Sequence, residues 1–391
     1  MALHDSVIAG YAETPIVVGG THDLFEMHAD LTEDLLTGAG VDKAEVDGLV
    51  MASSLTGTPT PFWAQSVVEM LGLEVDFLDQ VQLGGCGPIG AVARAAMAID
   101  AGLCEIVLLL NADRASLSMD TWTDMSFGPE WVHPYGQMGT PGAFGLLSSR
   151  YDHEYGLDLE ALGKLAVTQR DHAMRNENAC AKLRTPITVE DYLNSRMISE
   201  PIRLLDCVMP CDGGNGLLMM SRRAARRKRL EKFVVPIGYA ERSNHNGSDP
   251  LPDVTDTGHR IAGAKALAQA GLAVSEIKSF HPYDDFLLAI MLQLEMFGFC
   301  GKGEGAQFIS KTDFRFDGDL PLNTGGGQIS AGQVGAAGGG TNLVEAVRQL
   351  FDDGGARQVR DTSNALVTGI GWIGYGRNWC TSAALVLTPD R

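Results

Sequence analysis

Apolar and polar positions along the chain fall into a pattern that occurs twice. Val7-Ile-Ala-Gly-Tyr-Ala-Glu13 reads as a strand running out into a loop. Phe233-Val-Val-Pro-Ile-Gly-Tyr-Ala-Glu241 has the same character, down to a shared Gly-Tyr-Ala-Glu. Behind the first strand, Asp23–Gly38 spaces its apolar side chains for one buried helix face, and Gly258–Gly271 does so behind the second. Short charged segments then lead into Val46-Asp-Gly-Leu-Val-Met51 and Ile277-Lys-Ser-Phe280.

The correspondence continues. Val81-Gln-Leu-Gly-Gly-Cys86-Gly-Pro is an apolar run that ends in glycines, and an alanine-rich helix pattern follows it to Asp100. This feeds Glu105-Ile-Val-Leu-Leu-Leu-Asn111, a continuous apolar run of the kind buried on both faces. In the second half, Asn323-Thr-Gly-Gly-Gly-Gln-Ile-Ser330 and a Gly/Ala tract precede a helix pattern at Thr341–Phe351, then the strand pattern Asn364–Ile370. Each half closes on a strand, Gly216–Met220 and Ala383–Leu387. Alternating strands and helices predict an α/β protein with mostly parallel sheets covered by helices. The halves are 1–230 and 231–391. Residues of about 116–206 break the rhythm and read as an inserted loop domain over the first half, with helix patterns at Phe144–Tyr155 and Leu159–Asn176. Inserted loops on a rigid α/β scaffold commonly shape a substrate site.

Composition narrows the classes. Of 391 residues, 45% are hydrophobic and 20% charged, which suits an ordinary globular protein. No apolar run approaches the length of a membrane span, and the N-terminus has no signal-peptide pattern. Seven scattered cysteines point to reduced thiols, and the expected location is the cytoplasm. A formal net charge of −19 opposes general nucleic-acid binding, yet leaves room for an anionic cofactor held by a few local cations. The basic run Ser221–Leu230 reads as a solvated helix end.

Cys86 is the leading candidate for chemistry. At the start of a helix, unpaired N–H groups and the dipole favour a thiolate, and they can steady an oxyanion once the sulfur is acylated. The alternative is a small buried thiol. Cys207-x-x-x-Cys211 has no second Cys/His pair at metal spacing, so no metal is expected. The glycine runs at Gly325 and Gly338 do not fit a dinucleotide-binding fingerprint. His133 lies in the inserted stretch within Trp131-Val-His-Pro-Tyr135. Trp63, Trp122 and Trp131 read equally as pocket lining or as packing.

Four motifs together resemble the thiolase superfamily, in its lipid-transfer-protein-like branch related to sterol-carrier-protein thiolases. They are Gly84-Gly-Cys86-Gly-Pro-Ile-Gly-Ala91; Pro201–Gly216; His281-Pro-Tyr-Asp-Asp-Phe286 with the segment to Gly305; and Leu322–Gly338 with the helix Glu345–Leu350. The resemblance spans essentially the whole chain. It implies a five-layered α-β-α-β-α sandwich, a homodimer, and acyl-CoA thioester chemistry with coenzyme A as co-substrate and no permanently bound cofactor. It further implies a small partner protein with an OB fold and a zinc ribbon. Within the matching motifs, Gln333, Asn323, Gly369 and Gly371 fall where the family contacts substrate.

The departures concern the acid/base set. Gln333 stands where thiolases carry a Gly-His-Pro histidine, and an amide donates a hydrogen bond but takes no proton at neutral pH. The loop Val367–Gly376 lacks the second cysteine, and Cys380 comes later, at the start of the final strand. His281 is then a candidate base, and Tyr283 a candidate donor to a developing enolate. A tyrosine at this place also resembles the steroid side-chain aldolases of the same branch. The leading expectation is thiolase-type cleavage of a branched or aromatic 3-ketoacyl-CoA through acyl-Cys86, an acyltransferase activity. The alternative is retro-aldol cleavage of a 3-hydroxyacyl-CoA with Tyr283. A noncatalytic acyl-CoA-binding subunit is the third.

Overall fold

The computed structural model describes residues 5–56, 62–117, 133–136, 139–373 and 378–390. In the first half, β1 (Ser6–Glu13) leads to α1 (Leu24–Ala39), β2 (Gly48–Ala52), α2 (Trp63–Leu71), β3 (Phe77–Val81), α3 (Gly87–Asp100) and β4 (Ile106–Arg114). An intervening segment carries α4 (Gly139–Tyr155), α5 (Leu159–Met174), α6 (Val189–Leu193) and the small hairpin β5 (Met197–Ser199) and β6 (Ile202–Arg203). The chain returns on β7 (Asp212–Ser221) and crosses by α7 (Arg222–Arg227) to the second half. There β8 (Phe233–Ser243), α8 (His259–Ala270), β9 (Phe280–His281), α9 (Leu287–Phe297), α10 (Gly305–Lys311), α11 (Gly327–Ala331), α12 (Gly338–Leu350), β10 (Ala365–Ile370) and β11 (Thr381–Asp390) follow.

Nine strands are hydrogen-bonded in the order β3-β2-β4-β7-β1-β8-β11-β10-β9. The order is nearly symmetric about the β1/β8 boundary, where a single residue pair, Ile8 with Val234, joins the halves. Strand periodicity then divides the core. Ile106, Leu108 and Leu110 of β4 face one way, onto α1 and α2, whereas Val107 and Leu109 face the other, onto α3 and α12. In β11, Ala383, Leu385 and Leu387 share that central layer, and Ala384 and Val386 face the opposite outer layer with α8 and α9. Helices, sheet, helices, sheet and helices thus stack in five layers. Being enclosed on both sides, α3 and α12 are buried almost all round.

Two expectations change. The sheet is mixed: β2 with β3, β2 with β4, and β9 with β10 are parallel, and the central pairings are antiparallel. β10 and β11 are separated by too few residues for the crossover that parallel neighbours need. The segment inserted in the first half packs on the second. Phe144, Tyr151, Leu162 and Tyr192 share one apolar cluster with Phe280, Leu288 and Phe314.

One buried ionic knot ties these layers. Glu345 of α12 binds Arg348 at 2.7 Å and Arg357 at 3.0 Å, and accepts from Thr324 at 2.8 Å. Arg348 also pairs with Glu13 at the end of β1. The two arginines hold the Glu345 carboxyl far below the usual carboxylate range despite its burial. Replacing Glu345 by Ala takes the carboxylate from Arg357 and leaves Arg348 with Glu13 alone. The expected loss is about 3–5 kcal/mol, read as a fall in the urea midpoint of unfolding.

Candidate active site

The turn Gly84–Cys86 ends β3's connection and starts α3, so Cys86 does sit at a helix start, with Pro88 in the first turn. Beside it a cavity of about 100 Å³ opens, lined among others by Ser53, Gly85, Tyr283, Asp285, Gln333 and Gly371. The carboxyl ends of parallel strands are where α/β proteins commonly bind ligands, and β2 and β10 end here.

Tyr283 lines this cavity. Its peptide is clamped at both ends: the N–H donates to Thr368 Oγ1 at 2.9 Å, and the carbonyl accepts from Gln293 Nε2 at 2.7 Å. Thr368 in turn donates to Gln293 Oε1, closing a ring of three. The Tyr283 ring lies against Gly85 so closely that a β-carbon there would overlap it. Its phenol is hydrogen-bonded to both Asp285 and the amide of Gln333. Burial, reinforced by the charge of Asp285, pushes the phenol well above its ordinary value, so it stays protonated.

Asp285 was not singled out by the sequence, although it stands in the His281–Phe286 motif. Burial and then the neighbouring Asp284 push its carboxyl up to about 7, and the hydrogen bond from Tyr283 opposes them. Its Oδ1 has no partner. Asp284 is different. It accepts from Gln169 Nε2 at 2.6 Å, from the N–H groups of Gln328 and Ile329 at 3.0 and 3.2 Å, and from Asn342 Nδ2 at 3.0 Å. Four donors from α5, α11 and α12 make it an anchor.

The other expected residues divide. Gln333 and Gly371 line the cavity. Gln333 Nε2 donates to the carbonyl of Gly335 at 3.0 Å and its Oε1 accepts from the Gly335 N–H at 2.9 Å. Cys86 is not among the lining residues. It is fully buried, its Sγ lies 3.5 Å from the carbonyl oxygen of Thr381, and Gly369 packs on its backbone. Burial, followed by the charge of Glu241, raises its thiol well above the ordinary value. His281 is also fully buried and lies off the cavity, with Nε2 3.3 Å from Ser279 Oγ and Nδ1 without a partner; burial lowers it to about 4. Asn323 donates to the carbonyl of Pro282 at 3.0 Å and steadies the motif from behind. The side chain of His133, with Trp122 and Trp131, lies outside the described residues, and Trp63 is buried against His28. Cys207 and Cys211 part company: one bonds the carbonyl of Arg203, the other lies beside Cys180.

The apolar wall is aromatic. Phe144 of α4 lines the cavity and stacks on Phe286 at 4.1 Å and 26°. Ile370, Trp372 and Ile373 complete it, with Trp372 partly exposed.

Such a fold, with a phenol, an amide and a carboxyl meeting beside a helix-start cysteine, defines a thiolase-like α/β enzyme. Residues 240–385 match the family model described as thiolase C-terminal domain-like. The chain is 32% identical to the steroid side-chain-cleaving aldolase of Thermomonospora curvata, over 99% of this chain and 98% of that one. It is 30% identical to the 17-hydroxy-3-oxo-4-pregnene-20-carboxyl-CoA lyase of Mycobacterium tuberculosis, over 88% and 91%. The solved Ltp2-ChsH2(DUF35) aldolase superposes with a TM-score of 0.84 at 32% identity, covering 99% and 98%. The chain belongs to the thiolase superfamily, in the sterol-carrier-protein-thiolase-like branch that includes steroid side-chain-cleaving aldolases.

Burial makes a direct prediction for the thiols. Iodoacetamide at pH 8 is expected to label the exposed Cys380 in the folded protein and to leave Cys86 unmodified until denaturant is added. Peptide mass mapping reads the outcome, and rapid labelling of Cys86 in the native protein contradicts it.

Proposed function

We propose that this protein is an acyl-CoA retro-aldolase, which cleaves the C2–C3 bond of a 3-hydroxyacyl-CoA whose C3 belongs to a bulky fused-ring system. One observation carries the reading: in the cavity Tyr283 joins Asp285, whose carboxyl is poised near neutrality, while Cys86 is closed off beside it. The names and identities of the two aldolase and lyase relatives support it.

The residues assign the proton path. Asp285 as carboxylate accepts the phenol proton of Tyr283 as the phenol oxygen takes the proton of the substrate C3 hydroxyl. The C3–O bond becomes a carbonyl, the C2–C3 bond breaks, and its electron pair passes into the thioester enolate. C2 then takes a proton back through Tyr283 from protonated Asp285, releasing a ketone and a shortened acyl-CoA. Gln333 holds the phenol oxygen by its amide and needs no change of protonation. The aromatic wall at Phe144 and Trp372 suits the apolar rings, most of which must lie beyond a cavity this small. Acyl transfer through acyl-Cys86 has less support, because the thiol is held protonated and its sulfur hydrogen-bonds a backbone carbonyl, with no histidine bonded to it among the described residues.

The same reading includes a homodimer and a small partner protein with an OB fold and a zinc ribbon, which would hold the zinc itself. The solved relative, an aldolase paired with ChsH2(DUF35), supports a partner. No helix among the described residues is long and apolar enough to cross a membrane.

The test uses 17-hydroxy-3-oxo-4-pregnene-20-carboxyl-CoA and follows the shortened acyl-CoA by mass spectrometry. Tyr283→Phe is expected to lower kcat at least about 10²-fold, and Cys86→Ala to leave cleavage near the wild-type rate. Activity lost in Cys86→Ala and kept in Tyr283→Phe, with an acyl adduct on the thiol, restores the thiolase reading.

The base also fixes a pH profile. Asp285 must be ionised to accept a proton, so kcat/KM is expected to rise with pH through about 7 and level off above it. Asp285→Asn removes this limb along with most of the rate. A limb that persists in Asp285→Asn assigns the base to another group.

A further inference from the structure

We propose that Asp113, at the end of β4, is a positioning residue that locks the Gln333 amide toward Tyr283; this rests on Tyr283 and Asp285 being the acting pair. Asp113 is fully buried and its two oxygens are crowded with donors from two separate loops. From the loop after β2 come Ser54 Oγ at 3.1 Å, the N–H groups of Leu55 and Thr56 at 2.8 and 3.0 Å, and the Thr56 hydroxyl. From the loop before α12 comes the N–H of Ala336 at 3.0 Å. Both loops line the cavity, one through Ser53 and Leu55 and the other through Gly335 and Ala336.

The link to the chemistry runs through Gly335. Its φ of +58° is left-handed, and a β-carbon there would overlap the Asp113 carboxylate, so Asp113 presses the glycine backbone into one place. Both polar groups of that glycine are engaged by Gln333: the N–H donates to Oε1, and the carbonyl accepts from Nε2. Held at both ends by Gly335, the amide is fixed in one orientation, and the second N–H of its Nε2 is left for the phenol. Asp113 therefore decides which end of Gln333 faces Tyr283, although it touches neither that side chain nor the reacting atoms. A free Gln333 could turn its carbonyl to Tyr283 and compete with Asp285 for the phenol proton.

Asparagine at position 113 keeps the shape but offers N–H groups to donors. Asp113→Asn is expected to lower kcat by about 10²-fold, the cost of slight misplacement at a reacting centre. The decisive measurement is a double-mutant cycle with Gln333→Ala. If Asp113 acts through Gln333, the double variant cleaves no more slowly than Gln333→Ala alone. Losses that multiply show a general structural role and overturn the proposal. If Asp113→Asn does not fold, Gly335→Ala disturbs the same contact from the other side and enters the same cycle. Amide hydrogen exchange gives a readout without turnover: Leu55, Thr56 and Ala336 should all exchange faster in Asp113→Asn, and unchanged exchange overturns the proposal. A wild-type protein that leaves the hydroxyacyl-CoA uncleaved defeats the retro-aldol reading instead, and exchange alone then judges the lock.

Discussion

The backbones at the starts of α3 and α12 meet beneath the cavity with no room for a side chain between them. A β-carbon on Gly339 would overlap the carbonyl of Gly85, and one on Gly369 would come within 2.7 Å of the Cys86 Cα. This contact joins the two halves in the middle layer, as the Ile8 and Val234 pair joins them in the sheet. It also places the helix starts side by side, so that one ring, Tyr283, can cover Gly85 and reach both Gln333 and Asp285. Interiors packed at this density do not absorb an extra methyl group cheaply. The site's geometry is thereby inherited from the packing of the middle layer.

Around that contact, the buried carboxylates sort by how fully they are bonded. Glu345 has arginine partners, Asp284 has four donors, and Asp113 has donors from two loops. Each is an anchor. Asp285 keeps an oxygen without a partner and faces open space. A buried polar group left unsatisfied in a native fold calls for a reason, and a proton it can take is a sufficient one. The two adjacent aspartates of one motif thus do opposite work: Asp284 stitches α5, α11 and α12 together, and its nearness raises the proton affinity of Asp285.

Much of this fold is legible in the sequence. The helices expected at Asp23–Gly38 and Gly258–Gly271 end within a residue or so of α1 and α8, because each has an apolar face and a terminal glycine in the left-handed conformation. The long apolar strands are equally plain, since they are buried on both faces. Strand direction is not legible, because an apolar run reads the same in a parallel or an antiparallel neighbourhood. Nor does a pattern along the chain tell which layer the inserted segment covers. The site is legible as a motif and less so as a geometry. Tyr283 and Gln333 are visible through their motifs, but His281 and Tyr283 part because β9 ends at His281 and the chain turns. Asp285 differs from Asp284 only by a turn of backbone direction.

Cys86 shows how far a local rule reaches. A thiol at a helix start is expected to ionise, yet its surroundings here act the other way: burial and the Glu241 charge both favour the neutral form. A nucleophilic cysteine would need a thiolate and a base to take its proton, and His281, fully buried and lowered to about 4 by that burial, is a poor one. A relay needs neither. When Tyr283 accepts one proton and passes on another, no charge collects on the phenol. In the proposed relay the negative charge leaves Asp285, already balanced near neutrality, for the thioester enolate, and it returns when C2 is protonated. Among buried groups, where every isolated charge is costly, the proposed chemistry that moves protons along a chain of neutral and half-ionised groups is favoured over the one that must first expose an anion on sulfur.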